Sequence, residues 1–435
     1  LDKRIGIIAD DLTGANDSGV QLAKKGFSTT VMIDINGLVQ STVGEGTEVL
    51  VIDSDSRAMD PCKACERTAM AASFLLEEKY TYLYKKVDST LRGNIAAELK
   101  EAVAIYQPEI VVFAPAFPQL NRTTKNGNHF VHNVLLHETE FAHDPKTPVA
   151  TSSIPDLLQS EVDEELFLLN IAAIRSSHEE GINTIKKALL ASRWFICDAE
   201  TEADLVKIVR LFANFSERIL WSGSGGLIDY IPEVLGLSPG KKNGYEQHEI
   251  NKILTVSGSL SQNTQQQIKR LRTEEDCAVI ELNPVELLTK TFTSTDILEK
   301  LNGRKEKHLV LYLDNSGENR REAKLTGAML GYDHHQVSER LSGELGLIVA
   351  SIIEKEEEIN GFILTGGDTA KSVCSALGVT TLSLISEIEP GLPFGKINTG
   401  ERTFWTVTKA GGFGNEDALV SALKFMTREG DQDGK

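Results

Sequence analysis

IGIIADDLTGANDSG, residues 5–19, runs from three branched apolar residues (Ile5, Ile7, Ile8) straight into two adjacent carboxylates, Asp10 and Asp11. Thr13-Gly14 and Asn16-Asp17-Ser18 follow, then the amphipathic run Val20-Gln21-Leu22-Ala23. This order predicts a first parallel strand that feeds a helix through a polar loop. In open α/β sheets ligands sit at the carboxyl ends of such strands. Two acids there suit hydroxyls, a metal or a proton to be removed. A plain helix N-cap rich in Asp, Asn and Ser would account for one of them, at most both.

Outward from that stretch, strand-like runs recur with helices between them: 29–34, 48–56, 81–89, 110–116, 194–199 and 218–225. Alternation of this kind predicts a parallel sheet with helices on both faces. A loop-rich segment at 117–160, carrying His129, His132, His137 and His143, reads as a substrate-side insertion and not as a metal site. PEVLGLSPGKKNGYEQHEI, residues 232–250, reads as a linker. The α/β pattern then restarts at 252–261, 277–282, 308–314, 361–369, 380–386 and 403–414, and the tail 428–435 is polar. The expectation is an α/β protein of two domains, 1–240 and 241–435, each a mostly parallel sheet flanked by helices, with an active-site cleft between them. No internal repeat stands out.

Size and charge agree with two cores and narrow the partners. A chain of 435 residues exceeds one comfortable core. A net charge of −18 disfavours nucleic acid or an anionic membrane, while leaving room for a local basic site. No apolar run approaches the roughly 18 residues that would span a bilayer. LDKRIGII, residues 1–8, runs directly into the expected first strand, so no signal peptide is expected, although the stretch lacks an initial Met. Five scattered cysteines (62, 65, 197, 277 and 374) point to a reducing compartment, so a cytoplasmic location is expected. Cys62 and Cys65 form a C-x-x-C inside an amphipathic helical run, with no second pair to complete a zinc site, and read as ordinary thiols.

Polar clusters stand at three strand ends of the first half: Asp10-Asp11, Asp53-Ser54-Asp55-Ser56-Arg57, and Lys86-Val87-Asp88-Ser89-Thr90-Leu91-Arg92-Gly93-Asn94. One such cluster is ordinary; three at equivalent places indicate a shared crevice. Arg57, Lys86 and Arg92 supply positive charge for a carboxylate or phosphate. The acids and hydroxyls suit a polyol. As alternatives, Lys86 and Asp88 form an edge ion pair and Arg92 is a surface charge. The second half offers glycine and hydroxyl loops: Ser257-Gly258-Ser259, Thr365-Gly366-Gly367-Asp368-Thr369 and Lys409-Ala410-Gly411-Gly412-Phe413-Gly414. Glycines let backbone N–H groups approach an anion, and a helix start behind them adds its dipole. Three such loops on one sheet suit a nucleoside triphosphate.

Standard motifs are missing. TGGDTAKS (365–372) and GLPFGKIN (391–398) lack the spacing or final hydroxyl of a P-loop, and neither WSGSGGL (221–227) nor AGGFGNE (410–416) completes a dinucleotide fingerprint. No G-x-S-x-G elbow is present. A phosphoryl transferase with its own loops fits better.

ADDLTGANDSG (9–19), DSDSR (53–57), YKKVDSTLRGN (84–94), VSGSLS (256–261), TGGDT (365–369), PGLPFG (390–395) and TKAGGFG (408–414) together resemble the four-carbon acid sugar kinase family, long catalogued as a domain of unknown function. The likeness runs in order from about residue 4 to about 425. ANDSGVQLAKKG (15–26) and YKKVDSTLRGN are most similar to its D-threonate kinase branch.

The resemblance implies that the acid sugar lies in the N-terminal domain and ATP in the C-terminal domain, with transfer to the 4-hydroxyl. Acid-sugar contacts then fall on Asp11, Arg57 and Lys86-Val87-Asp88-Ser89. Nucleotide contacts fall on Ser257 or Ser259, on Gly366-Gly367-Asp368-Thr369, and on Gly412. Arg57 and Lys86 are expected to hold the carboxylate, and Asp10, Asp11 and Asp88 the hydroxyls. Asp11 is the first choice to orient the attacking hydroxyl and Asp368 the alternative. Mg²⁺ is expected to bridge the phosphates, with no protein ligand identified. D-Threonate is the first choice of substrate; D-erythronate, L-threonate and a 3-oxo-tetronate remain open, as does a homo-oligomer. Two other classes compete: a non-catalytic sugar-acid sensor, and a sugar-phosphate isomerase or aldolase that needs no nucleotide.

Overall fold

The computed structural model describes residues 4–37, 46–144, 146–216, 218–240, 249–259, 261–314 and 316–427. The chain divides into two compact units, Leu1–Lys242 and Asn243–Lys435. The start of the expected linker belongs to the first unit, where Ile231–Val234 is helical and Pro232 and Leu237 are buried. The rest of that stretch at 241–248, like the polar tail 428–435, lies outside the described residues.

In the first unit the strands are β1 (Ile5–Ala9), β2 (Thr29–Met32), β3 (Val49–Asp53), β4 (Tyr82–Lys86) and β5 (Ile110–Ala114), then β6 (Arg122–Lys125), β7 (Asn128–Val131), β8 (Val134–Leu135), β9 (Leu166–Leu169), β10 (Trp194–Cys197) and β11 (Ile219–Gly223). The order β2-β3-β1-β4-β11-β5-β10-β9 makes one sheet with parallel pairing throughout. β1, β3, β4, β5 and β11 are buried along their whole length; β1 and β5 carry no polar side chain, whereas β3 ends on Asp53, β4 on Lys85 and Lys86, and β11 contains Ser222.

From β1 the chain crosses to β2 on one side, whereas from β4 it crosses to β5 on the other. Right-handed crossovers therefore put helix Leu12–Lys24 and helix Ile95–Tyr106 on opposite faces. Helix Pro61–Glu77 packs beside Ile95–Tyr106, and their cluster includes Leu75, Leu99, Tyr106 and Phe113.

The second unit has β12 (Lys252–Ser257), β13 (Cys277–Leu282), β14 (His308–Leu313), β15 (Ile359–Thr365), β16 (Thr381–Glu387), β17 (Pro393–Asn398) and β18 (Thr403–Lys409). Their order is β13-β14-β12-β15-β18-β17-β16, parallel from β13 to β18, with β17 antiparallel to both neighbours. Helix Gln262–Leu271 packs against helix Ala418–Thr427 through Ile268, Leu271, Leu419 and Leu423. Helix His334–Lys355 lies against helix Gly367–Ala376, where a side chain at Gly346 would collide with the Ser372 carbonyl.

Both units are thus α/β, mostly parallel and flanked by helices, as expected. Three features were not anticipated: the edge strand β9, the antiparallel β17, and a three-stranded antiparallel ribbon β6–β8 inside the supposedly loop-rich insertion. Among the described residues, no helix is long and apolar enough to cross a membrane.

Candidate active site

In the first unit, strand register collects the three polar clusters. Ala9, the last residue of β1, pairs with Asp53 of β3 and Lys86 of β4, and Lys86 pairs with Gly223 of β11. The segments after these strands leave the sheet side by side. β1 and β4, whose crossovers diverge, are adjacent, so the clusters occupy the point where an open sheet leaves a crevice.

Asp11 caps helix Leu12–Lys24, its Oδ1 accepting from the Gly14 N–H at 2.8 Å. The cap does not exhaust it. Arg57 donates from Nε and Nη2 to Asp10 (2.7 and 3.0 Å) and from Nη1 and Nη2 to Asp11 (2.8 and 2.6 Å). Asp88 Oδ1 stands 3.8 Å from the same guanidinium. Burial works to raise the Asp10 carboxyl, but Arg57, with Lys85 and Lys86, outweighs it and holds the group below its ordinary value. The same contest leaves Asp88 well below the usual carboxylate range, with Arg57 and Arg92 overcoming burial.

Arg57, expected to face a ligand carboxylate, is therefore engaged with protein carboxylates. Arg92 is engaged too, donating to Asp88 at 2.7 Å and to Asp144 at 3.1 Å. Lys86 differs. Its ammonium is buried and donates to the Val87 carbonyl at 2.9 Å, and it forms no ion pair with Asp88. A Cβ at Gly14 would lie 2.9 Å from Lys86 Nζ and 2.8 Å from Asp11 Oδ1, so glycine there makes room for both groups. Val87 sits in the hydrophobic core, which leaves only its backbone to a ligand. Ser89 is half-buried, and its carbonyl accepts from His129 Nε2 at 2.9 Å.

Several supports were not read from the sequence. Lys85 and Glu98 form a fully buried pair at 2.7 Å; Glu98 also accepts from Ser56, which in turn contacts Ser54. Asn94 donates to the Ser56 and Met59 carbonyls, tying two of the clusters together. The ribbon β6–β8 braces the third: burial pushes His129 down to about 4, so its neutral ring donates from Nε2 to Ser89 and accepts at Nδ1 from Thr124. The sequence did carry a sign of this ribbon. Asn126-Gly127, with φ of 49° and 71°, is a hairpin turn between β6 and β7. Arg122, paired across the ribbon with Val131, has a buried Nε without a hydrogen-bond partner among the described residues.

In the second unit, Ser257, Thr365 and Lys409 end three adjacent parallel strands in register. The three glycine loops therefore emerge together, at the point between β12 and β15 where crossovers again diverge. Thr365 Oγ1 bonds Ser257 Oγ at 2.8 Å, the Gly258 N–H reaches Thr369 Oγ1 at 3.2 Å, and the Gly366 N–H reaches the Lys409 carbonyl at 2.8 Å. Ser257 is buried by these contacts, whereas Ser259 is half-buried and lies against Gly411. Gly366, with φ of 99°, turns the chain into helix Gly367–Ala376, and Asp368 lies in the first turn. An added Cβ at Gly412 would meet nothing within 4 Å, so the loop is open at that point.

The arrangement offers a carboxylate-rich crevice with a buried lysine in one unit and glycine loops backed by a helix start in the other. Among the described residues, no group of three metal-ligating side chains is placed to hold an ion. Cys62 is exposed and Cys65 half-buried, and both are free thiols.

Comparison with known proteins agrees with this division. Residues 5–231 match the model of a sugar-binding N-terminal domain, and residues 254–419 that of a nucleotide-binding C-terminal domain. The chain is 33% identical over 431 residues to a D-threonate kinase of Salmonella typhimurium, covering 97% of each protein. It is 28% identical to a D-erythronate kinase of Heliobacterium modesticaldum (97% and 96% covered) and 28% to a 3-oxo-tetronate kinase of Cupriavidus necator (97% of each). A solved Salmonella typhimurium LT2 structure, 23% identical, superposes with a TM-score of 0.81 over 97% of this chain and 99% of the other, and speaks for the fold. Matched in both halves and along nearly its whole length, the chain belongs to the four-carbon acid sugar kinase family and is a sugar acid kinase.

Proposed function

We propose that the chain transfers the γ-phosphoryl group of ATP to the 4-hydroxyl of D-threonate, giving 4-phospho-D-threonate. The observation that carries this reading is the Asp10–Asp11–Arg57 cluster beside the buried Lys86 ammonium. D-Threonate is favoured over D-erythronate, L-threonate or a 3-oxo acid because the 33% identical relative carries that name.

Lys86 meets the substrate carboxylate in this reading, and Arg57 has a different task from the expected one. It holds Asp10 and Asp11 side by side, so that the partly exposed Asp11 can accept the proton-bearing 4-hydroxyl. Phosphoryl transfer relies mostly on such positioning and on charge neutralisation. The Ser257–Ser259, Gly366–Thr369 and Gly412 loops hold the nucleotide, with Asp368 on that side as the second acid. Mg²⁺, bound with the nucleotide, would supply charge neutralisation at the phosphates, and among the described residues no group of three side chains is placed to hold it.

The test is an ADP-release assay over D- and L-threonate, D-erythronate and the 3-oxo acids, run on the natural chain and on Asp11→Asn. D-Threonate should give the highest kcat/KM, and Asp11→Asn should lose about 10²–10⁴ in kcat. Full kcat in Asp11→Asn with a collapse in Asp368→Asn would move the acid to the nucleotide side. Turnover of an acid without ATP, or binding without ADP release, would overturn the reading.

A further inference from the structure

We infer that Asn263, Thr264, Gln267 and Lys409 are positioning residues: they grip the carbonyl side of the 410–415 loop and thereby aim its N–H side at nucleotide phosphates. This rests on the reading of the 410–415 loop as a nucleotide contact.

The grip is complete along the loop. Lys409 Nζ donates to the carbonyls of Ala410 (2.8 Å), Gly411 (3.3 Å) and Phe413 (3.0 Å). Thr264 Oγ1 donates to Gly411 at 2.7 Å. Asn263 Nδ2 reaches Gly412 and Gly414, both at 3.0 Å. Gln267 Nε2 reaches Phe413 at 3.0 Å and Asn415 at 2.8 Å. Each carbonyl from Ala410 to Asn415 thus accepts from at least one of four side chains.

A planar trans peptide points its C=O and its N–H in opposite directions, so fixing the carbonyls inward turns the next N–H groups outward. Successive outward N–H groups form a concave anion site. Gly412 faces open space, whereas at Gly411 the missing side chain lets Ser259 pack against the loop, since an added Cβ there would collide with Ser259 Oγ. Phe413 is not part of it, since its N–H closes back on the Ala410 carbonyl.

The gripping residues look chosen for their donors and not for packing. Thr264 and Gln267 are fully buried in helix Gln262–Leu271, on a unit where Ile268 and Leu271 already fill the core. Gln267 Oε1 lies buried without a hydrogen-bond partner among the described residues, a penalty an apolar residue would avoid. Lys409 is also buried, and its partners are a hydroxyl and three carbonyls, with no carboxylate among them.

Calorimetric titration of the full chain with ADP tests this, using Asn263→Asp, Thr264→Val and Thr264→Ser. Asn263→Asp keeps the shape but sets a carboxylate against two carbonyls; Thr264→Val deletes one donor. Both should weaken ADP binding by about tenfold or more while KM for the sugar acid stays within about twofold, and Thr264→Ser should recover most of the loss. ADP affinity within about twofold of the natural chain in Asn263→Asp and Thr264→Val would overturn the inference. Should Thr264→Val fail to fold, the half-buried Asn263→Asp carries the test. Absence of ADP binding by the natural chain would overturn the nucleotide reading itself, and the inference with it.

Discussion

Arg57 bridges two adjacent acids and holds the Asp10 carboxyl below its ordinary value. Asp10 is almost fully buried, Asp11 partly so, and each receives two N–H groups from the one guanidinium. Removing the cation leaves uncompensated buried charge, which is far costlier than losing a surface pair. Arg57→Ala is therefore expected to lower stability by about 3–5 kcal/mol in urea denaturation, in addition to losing activity. A variant as stable as the natural chain, with only KM for the acid raised, would return Arg57 to direct substrate contact. The sequence made half of this arrangement legible. Asp11 and its helix are local, a carboxylate three residues before the N–H it caps. Arg57 reaches back 47 residues to Asp10, and that contact follows from β1 and β3 lying side by side, which composition and spacing do not state. Lys85 and Glu98 escaped notice for the same reason.

At the scale of elements, strands with a strong apolar or alternating run were legible, the half-buried β13 and β16 included, and those with a weak pattern were not. The run VLVID of β3 has no other reading, whereas β9, a short half-buried strand, and β17, which opens on Pro393, carry weak patterns. The Asn-Gly turn at 126–127 was the available sign of the ribbon, masked by strands of only two to four residues. Asn263, Thr264 and Gln267 lie about 150 residues from the loop they grip, and only the fold shows that they meet it.

The ribbon makes a distinct pH prediction. His129 titrates near 4 in the folded chain because burial disfavours its charged form, and near 6.5 when unfolded. Between those values the unfolded chain binds a proton that the folded chain does not, so stability falls as pH drops through this window. From pH 7 to pH 5 the natural chain should lose about 2 kcal/mol more than His129→Gln. Equal losses in paired denaturant titrations would show that the ring is protonated in the folded state.

At the scale of the whole molecule, the two units repeat one device. β2-β3-β1-β4 and β13-β14-β12-β15 share the same order, although no sequence repeat betrays it. In each, the polar loops sit where crossovers diverge, so the acid-binding and nucleotide-binding chemistries proposed for them fall at equivalent places within the two units. Topology carries the equivalence while the residues differ: carboxylates, Arg57 and Lys86 in one, glycines and hydroxyls in the other. The most direct test of this division is calorimetry with D-threonate and with ADP, each titrated into Lys86→Met and Gly412→Val. Lys86→Met should lose affinity for the acid by about tenfold or more and keep ADP affinity within about twofold. Gly412→Val, placed where a side chain meets nothing in the protein, should fold normally, lose ADP and keep the acid. ADP binding lost in Lys86→Met with the acid retained, or both ligands unaffected by both substitutions, would contradict the account.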